Sequence, residues 1–183
     1  ALEITERDAM ITSDWVRMMA AYNAEMNHRL YASAAEVPEA ARRADRGAFF
    51  GSLHGTLSHL VWADNNWMAR FAGWPRPPGG IAGSPHLFET WEALCDARET
   101  TDAGIVAWAA AVDGSWLRGP LAWTNSVGER QVRPAWVTVT HFFNHQTHHR
   151  GQAHCLITQA GVKTADTDLP WVVDLDALGI APA

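Results

Sequence analysis

The chain has 183 residues, with 20 acidic against 14 basic side chains and a formal net charge of −6. No basic block stands out, which argues against nucleic acid as a partner, because affinity for a phosphate backbone rests on clustered Lys and Arg. The length fits a single domain over 1–183, and 48% hydrophobic residues with ten tryptophans supply ample apolar surface for a helical core.

Apolar residues from Met10 and Ile11 through Trp15, Met18, Met19, Tyr22 and Met26 to Leu30 recur three and four apart, predicting an amphipathic helix from Thr5 to about Tyr31. A short segment follows Val37, with Pro38 in its first turn, and Arg46-Gly47 interrupts it. Between Phe49 and Phe71 the spacing is again helical, through Leu53, Leu57, Leu60, Val61, Trp67 and Met68, with a stop at Gly73-Trp-Pro75. The Pro/Gly-rich stretch from Trp74 to Pro85 reads as a long loop between antiparallel elements, long enough to suggest function or an interface.

A third long helix is expected from Phe88 to Val112, with Trp91, Leu94, Cys95, Ile105 and Trp108 as its buried stripe. Its acids Glu89, Glu92, Asp96, Glu99 and Asp102 read most simply as a solvated face. From Trp116 to Arg133, two short β-prone runs flank Ser126-Val-Gly, predicting a small hairpin. Pro134 then opens a last long helix that ends at Gly161, and the tail around Thr167 to Leu175 is expected to pack across the helices.

Four of the nine histidines, His141, His145, His148 and His149, fall within nine residues of that last helix. At roughly 100° per residue they share one face with Gln152. His145 and His149, four apart, stand one above the other and can converge on one divalent ion; His141 and His145 have the same spacing. Two imidazoles do not complete a site, since catalytic zinc takes three protein ligands and keeps an open position. His54 and His59 lie roughly 140° apart around their helix, so one ion does not take both; His59 is the better third ligand, and His54 is expected in a structural or pocket-wall role. Trp62, Trp67 and Trp136 are candidates for pocket walls, with core packing the simpler role for each. Cys95 and Cys155, inside helical stretches, read as buried free thiols rather than a secreted disulfide framework.

The stretches Phe49 to Asp64 and Phe143 to Gln152, with Ala21-Tyr-Asn23, Trp67 to Gly73 and Thr167-Asp-Leu-Pro170, resemble the DinB family of damage-inducible proteins nearly end to end. That family is unrelated to the DNA polymerase sharing its name. The resemblance implies an all-α fold, an up-and-down four-helix bundle of the DinB/YfiT-like type, commonly a homodimer, with a three-histidine metal site between helices. Carried onto this sequence, the ligands are His59, His145 and His149, the metal nickel or zinc. Some relatives are thiol-dependent transferases or isomerases.

The leading expectation is therefore a metalloenzyme using a low-molecular-weight thiol or a water on a small-molecule substrate, with His141, His148 or His54 moving protons and Gln152 orienting a ligand. The alternative is a non-catalytic metal-binding stress-response protein. No G-x-S-x-G elbow suggests serine hydrolysis. No apolar run approaches the ~20 residues that span a bilayer, and no leader pattern opens the chain, so the expected compartment is the cytoplasm.

Overall fold

A computed structural model describes residues 10–180. The chain is largely helical, with long helices α1 (Ser13–Glu36), α3 (Leu53–Phe71), α4 (Trp91–Ala111) and α6 (Ala135–Gln159) and short helices α2 (Glu39–Arg43), α5 (Gly114–Arg118) and α7 (Leu169–Val172). Strands β1 (Pro120–Thr124) and β2 (Arg130–Pro134) form an antiparallel hairpin in the register Pro120↔Pro134 to Thr124↔Arg130. No helix among the described residues is long and apolar enough to cross a membrane.

The first helix starts later and ends later than its apolar pattern predicts. Thr12 caps it, its Oγ1 accepting from the Trp15 amide at 3.1 Å, and the predicted stretch from Thr5 through residue 9 lies outside the described residues. Ser52 caps α3 and Thr90 caps α4 in the same manner, so Phe49 and Phe88 fall in the turns ahead of their helices. The buried stripe of α1 includes Val16, Ala20, Asn23, Met26, Asn27 and Leu30. It includes two asparagines that an apolar period cannot reveal, while Trp15 and Met19 are partly buried beside it.

Each long helix packs against two others: α1 against α4 and α6, and α3 against α4 and α6. One apolar cluster gathers Val16 and Ala20, Met68 and Phe71, Ile105 and Ala109, and Val139, Phe142 and Phe143. The other gathers Leu30 and Ala34, Leu53 and Leu57, Leu94, and Leu156 and Ile157. Thus α1 and α6 run one way and α3 and α4 the other, which corrects the alternating up-and-down order expected from the sequence. The connection 72–90 is not a link between antiparallel helices. It carries the chain back along α3, so that the Phe88 carbonyl lies 2.8 Å from His54 Nε2 near the start of α3. Its 3₁₀ turn, Ile81–His86, packs on α3 so closely that a Cβ at Gly55 would meet Pro85 at 3.2 Å. The tail is held to α1, where Tyr22 donates to the Thr167 carbonyl and Arg17 to that of Leu178.

Between the two apolar clusters lies a buried polar belt. Arg98 donates to Asp64 at 2.7 Å and, through Nε and Nη2, to both carboxylate oxygens of Asp102 at 2.9 and 2.7 Å. Asn27 adds a bond to Asp102 at 2.9 Å, and Asn23 links Asp102 to Arg150. Asp102 is therefore not part of a solvated face. Buried in contact with Arg98 one turn earlier, it joins α4 to α1, while Asp64 joins α4 to α3. Cys155 also departs from expectation: it is exposed, and Cys95 is half-buried, because the buried face of α6 at that level is taken by Ala153, Leu156 and Ile157.

Removing the shared cation should be costly, since it leaves two carboxylates buried without their partner. Arg98→Met is expected to lower stability in urea unfolding by about 3–5 kcal/mol. Breaking the surface pair of Arg17 with Asp14 by Arg17→Met should cost about 1 kcal/mol or less. Equal small losses in both would contradict the belt's role.

Candidate metal centre

Helix α3 contributes His59, and α6 contributes His145 and His149. One imidazole nitrogen from each lies within 4.8 Å of the others, so the structure brings together the three residues singled out by spacing and resemblance. His145 Nε2 lies 3.1 Å from His149 Nε2 and 3.4 Å from His59 Nε2. Zinc–nitrogen bonds of 2.0–2.1 Å at tetrahedral angles separate ligand nitrogens by about 3.3 Å, so the spacing fits such an ion.

The outer nitrogens explain why the inner ones converge. His59 Nδ1 lies 2.8 Å from Ser84 Oγ, and the Ser84 hydroxyl itself donates to the Ile81 carbonyl at 2.6 Å. With its own proton committed, Ser84 accepts from His59 Nδ1–H. His149 Nδ1 likewise donates to Gln152 Oε1 at 2.7 Å. Both rings therefore turn a bare Nε2 lone pair inward, and a single proton on His145 Nε2 can satisfy only one of them. Lone pairs facing one another at this distance repel unless a cation stands among them.

Phe50 closes one side of the group, stacked on His59 with centroids 3.7 Å apart and planes 21° apart. The other side opens into a cavity of about 480 Å³ whose wall includes His59, His145, His141, Trp62, Trp67 and Trp123. Trp62 and Trp67 thus wall the pocket rather than serving the core alone, and the Trp62 indole is fixed by donating to the Pro78 carbonyl at 3.0 Å. Trp136 lies outside that wall. His141 stands at the cavity rim, its ring 5.8 Å from His145 and 5.2 Å from Trp67. His148 is exposed and lines no part of the cavity; its Nε2 lies 3.3 Å from Gln152 Nε2. His54 is buried, apart from the three, and held by the Phe88 carbonyl, which matches a structural role.

Sequence reasoning missed Ser84, Phe50 and Trp123. The length of the Pro/Gly-rich connection was the one hint to Ser84, and nothing in the residue order paired it with His59.

Burial is the first cause of the low basicity here. It pulls His59 down to about 3, with His149 and His145 adding repulsion, and His145 down to about 4, while His149 also falls below the ordinary range. In the metal-free protein these rings are neutral when folded and protonated when unfolded between pH ~6.5 and the folded values. The unfolded state then binds more protons, so stability is full above pH ~6.5 and is lost as pH falls toward 3. The urea midpoint should fall steadily from pH 7 to 4 in metal-free protein, and less so in a His59→Gln/His145→Gln variant. Parallel profiles would show that other groups set the acid limit.

No solved structure matches the chain. Protein DinB of Bacillus subtilis (strain 168) is 25% identical over 160 residues, covering 85% of this chain and 92% of that protein. A sequence model described as the DinB family matches residues 10–179, which takes in all four long helices and the three histidines, and the chain accordingly belongs to the DinB family.

Proposed function

We propose that His59, His145 and His149 hold one divalent ion, nickel or zinc, and that the protein is a metalloenzyme carrying out thiol-dependent transfer or metal-assisted hydrolysis on a small molecule. The observation that carries this reading is the convergence of the three histidines, with bare Nε2 atoms of His59 and His149 turned inward, at the wall of an open cavity. Three histidines leave a four-coordinate ion one ligand short, and such an ion lowers the pKa of a thiol or water at the open position.

The chain's own residues supply the rest. Ser84 and Gln152 fix the tautomers and planes of His59 and His149, and Phe50 keeps water from the closed side. His141 faces the cavity as a neutral base at pH 7, its pKa lowered by burial and then by Arg70, and so can take a proton from a reacting group and return it. His148, turned to solvent, is assigned no step. A storage or structural site needs no cavity beside its ligands, so the open side favours catalysis over the alternative of a non-catalytic metal-binding stress-response protein.

The same reading takes the four long helices as a DinB/YfiT-like bundle that works as a cytoplasmic homodimer. Helix faces are the natural surface for a two-fold contact. Sedimentation at micromolar concentration should give twice the chain mass; monomer alone would remove the dimer from the proposal.

Elemental analysis of purified protein should find one nickel or zinc per chain, and a His145→Ala/His149→Ala variant should lose it. Ser84→Ala, which frees the His59 ring, should weaken metal affinity about 10–100-fold. Metal-loaded protein should turn over electrophiles with glutathione, bacillithiol or mycothiol, or hydrolyse them, and His59→Ala should not. Absence of stoichiometric metal would sink the site. A metal shell closed to thiols and azide would leave the non-catalytic reading.

A further inference from the structure

The cavity beside the three histidines carries two guanidinium groups and no carboxylate. Arg70 and Arg76 both line it, and none of its wall residues is Asp or Glu, which inverts the sign of a chain whose net charge is −6. Arg70, in the last turn of α3, is half-buried with its guanidinium carbon 4.4 Å from the Trp67 ring centroid, and its Nε is buried without a hydrogen-bond partner. Among the described residues, neither Arg70 nor Arg76 has an acid within ion-pair distance.

The buried arginines that serve the fold differ in having acids and carbonyls on their guanidinium ends, although Arg42 shares with Arg70 a buried Nε without a partner. Arg98 has two carboxylates, and Arg42 has Glu39 and three backbone carbonyls. A buried N–H without an acceptor is costly, and stacking on an indole replaces only part of the lost hydration. Burial and the neighbouring charge of Arg76 both press on the Arg70 cation. What such a pair lacks is an oxyanion, whose planar oxygens match the guanidinium fork.

We propose that this cavity takes an organic oxyanion, a carboxylate or phosphate on an aromatic or apolar body, with the anionic group on Arg70 and Arg76 and the body against Trp62, Trp67 and Trp123. The inference names the substrate class of the site and, for its catalytic meaning, rests on the function proposed above. His141, between Trp67 and His145, then stands beside the bound body, and the anchored anion directs the opposite end of the molecule toward the three histidines. The acid-free wall makes the same cavity poor for cations, so selectivity comes from repulsion as well as attraction.

The test uses 3-phenylpropionate against 3-phenylpropan-1-ol and 3-phenylpropylammonium, titrated by calorimetry and tryptophan quenching into both metal-free and zinc-loaded protein at low salt. The acid should bind at least about tenfold more tightly than the other two. Arg70→Gln should remove most of that preference, Arg76→Gln part of it, and Arg70→Lys should retain some; thermal melts establish that each variant is folded. Equal affinity for the alcohol or the ammonium ion, or an Arg70→Gln variant that binds the acid unchanged, overturns the proposal. If the acid binds only with zinc present and loses affinity in His145→Ala but not in Arg70→Gln, the oxyanion sits on the metal and the arginine site is refuted while the metal site stands. Arginine-dependent binding in a protein that takes up no metal would have the opposite meaning, upholding this inference and removing the metal reading.

Discussion

The interaction on which the rest depends is the buried guanidinium of Arg98, held between Asp64 and Asp102. Charges removed from water need partners at bonding distance, and the bonds that meet Arg98 and Asp102 leave the helices that carry them little freedom to slide. A shift of one residue along α4 would carry Arg98 and Asp102 together, taking the cation from Asp64 on α3 and Asp102 from the α1 asparagines Asn23 and Asn27. Apolar contacts above and below the belt tolerate small slips far better, because hydrophobic burial has no direction. The belt therefore sets register, and the clusters on either side supply most of the favourable burial.

The candidate metal centre inherits that register. On α6 the belt takes Arg150, while its helix neighbour His149 faces the site. On α3, Asp64 points inward and His59, five residues earlier, points toward α6. Groups that must meet within a few tenths of an ångström are thus carried by backbone fixed for another reason. The returning connection completes the arrangement by bringing Ser84 against His59 from outside the four helices. A ligand ring held only by its own rotamer would swing; one with its far nitrogen bonded has a single useful orientation.

How much of this was legible follows from what each pattern encodes. The spacing of His145 and His149 belongs to one helix, so local geometry sufficed for the pair. His59 lies on another helix, where its angular separation from His54 made it the better third ligand, and the family resemblance tied it to the other two. Helix direction was not legible, because a 3.6-residue repeat says which face is buried and nothing about where the chain returns; the 72–90 connection reads equally as a short link or a long traverse. Asp102 was misread for a related reason. Arg98 and Asp102, four apart on a helix rich in acids, look like any solvated pair until α1 and α3 are laid against them. Cys155 shows the converse: a residue that usually packs inside is exposed where other side chains fill the buried face.

One asymmetry favours the proposed catalytic reading over a structural clasp. A metal that only ties helices together is served best by ligands on all sides and by exclusion of solvent, and Phe50 provides that seal on one flank alone. On the other flank the helices do not close, and the gap is walled by indoles and by guanidinium groups without acids. With that gap, α3 meets the hairpin at Trp67 against Trp123 rather than along a packed face, and an Arg70 N–H stays buried and unmatched. Neither feature stabilises the fold. Both are explained at once if the space is filled by a molecule whose charge is opposite to that of the wall and whose reacting end lies at the histidines.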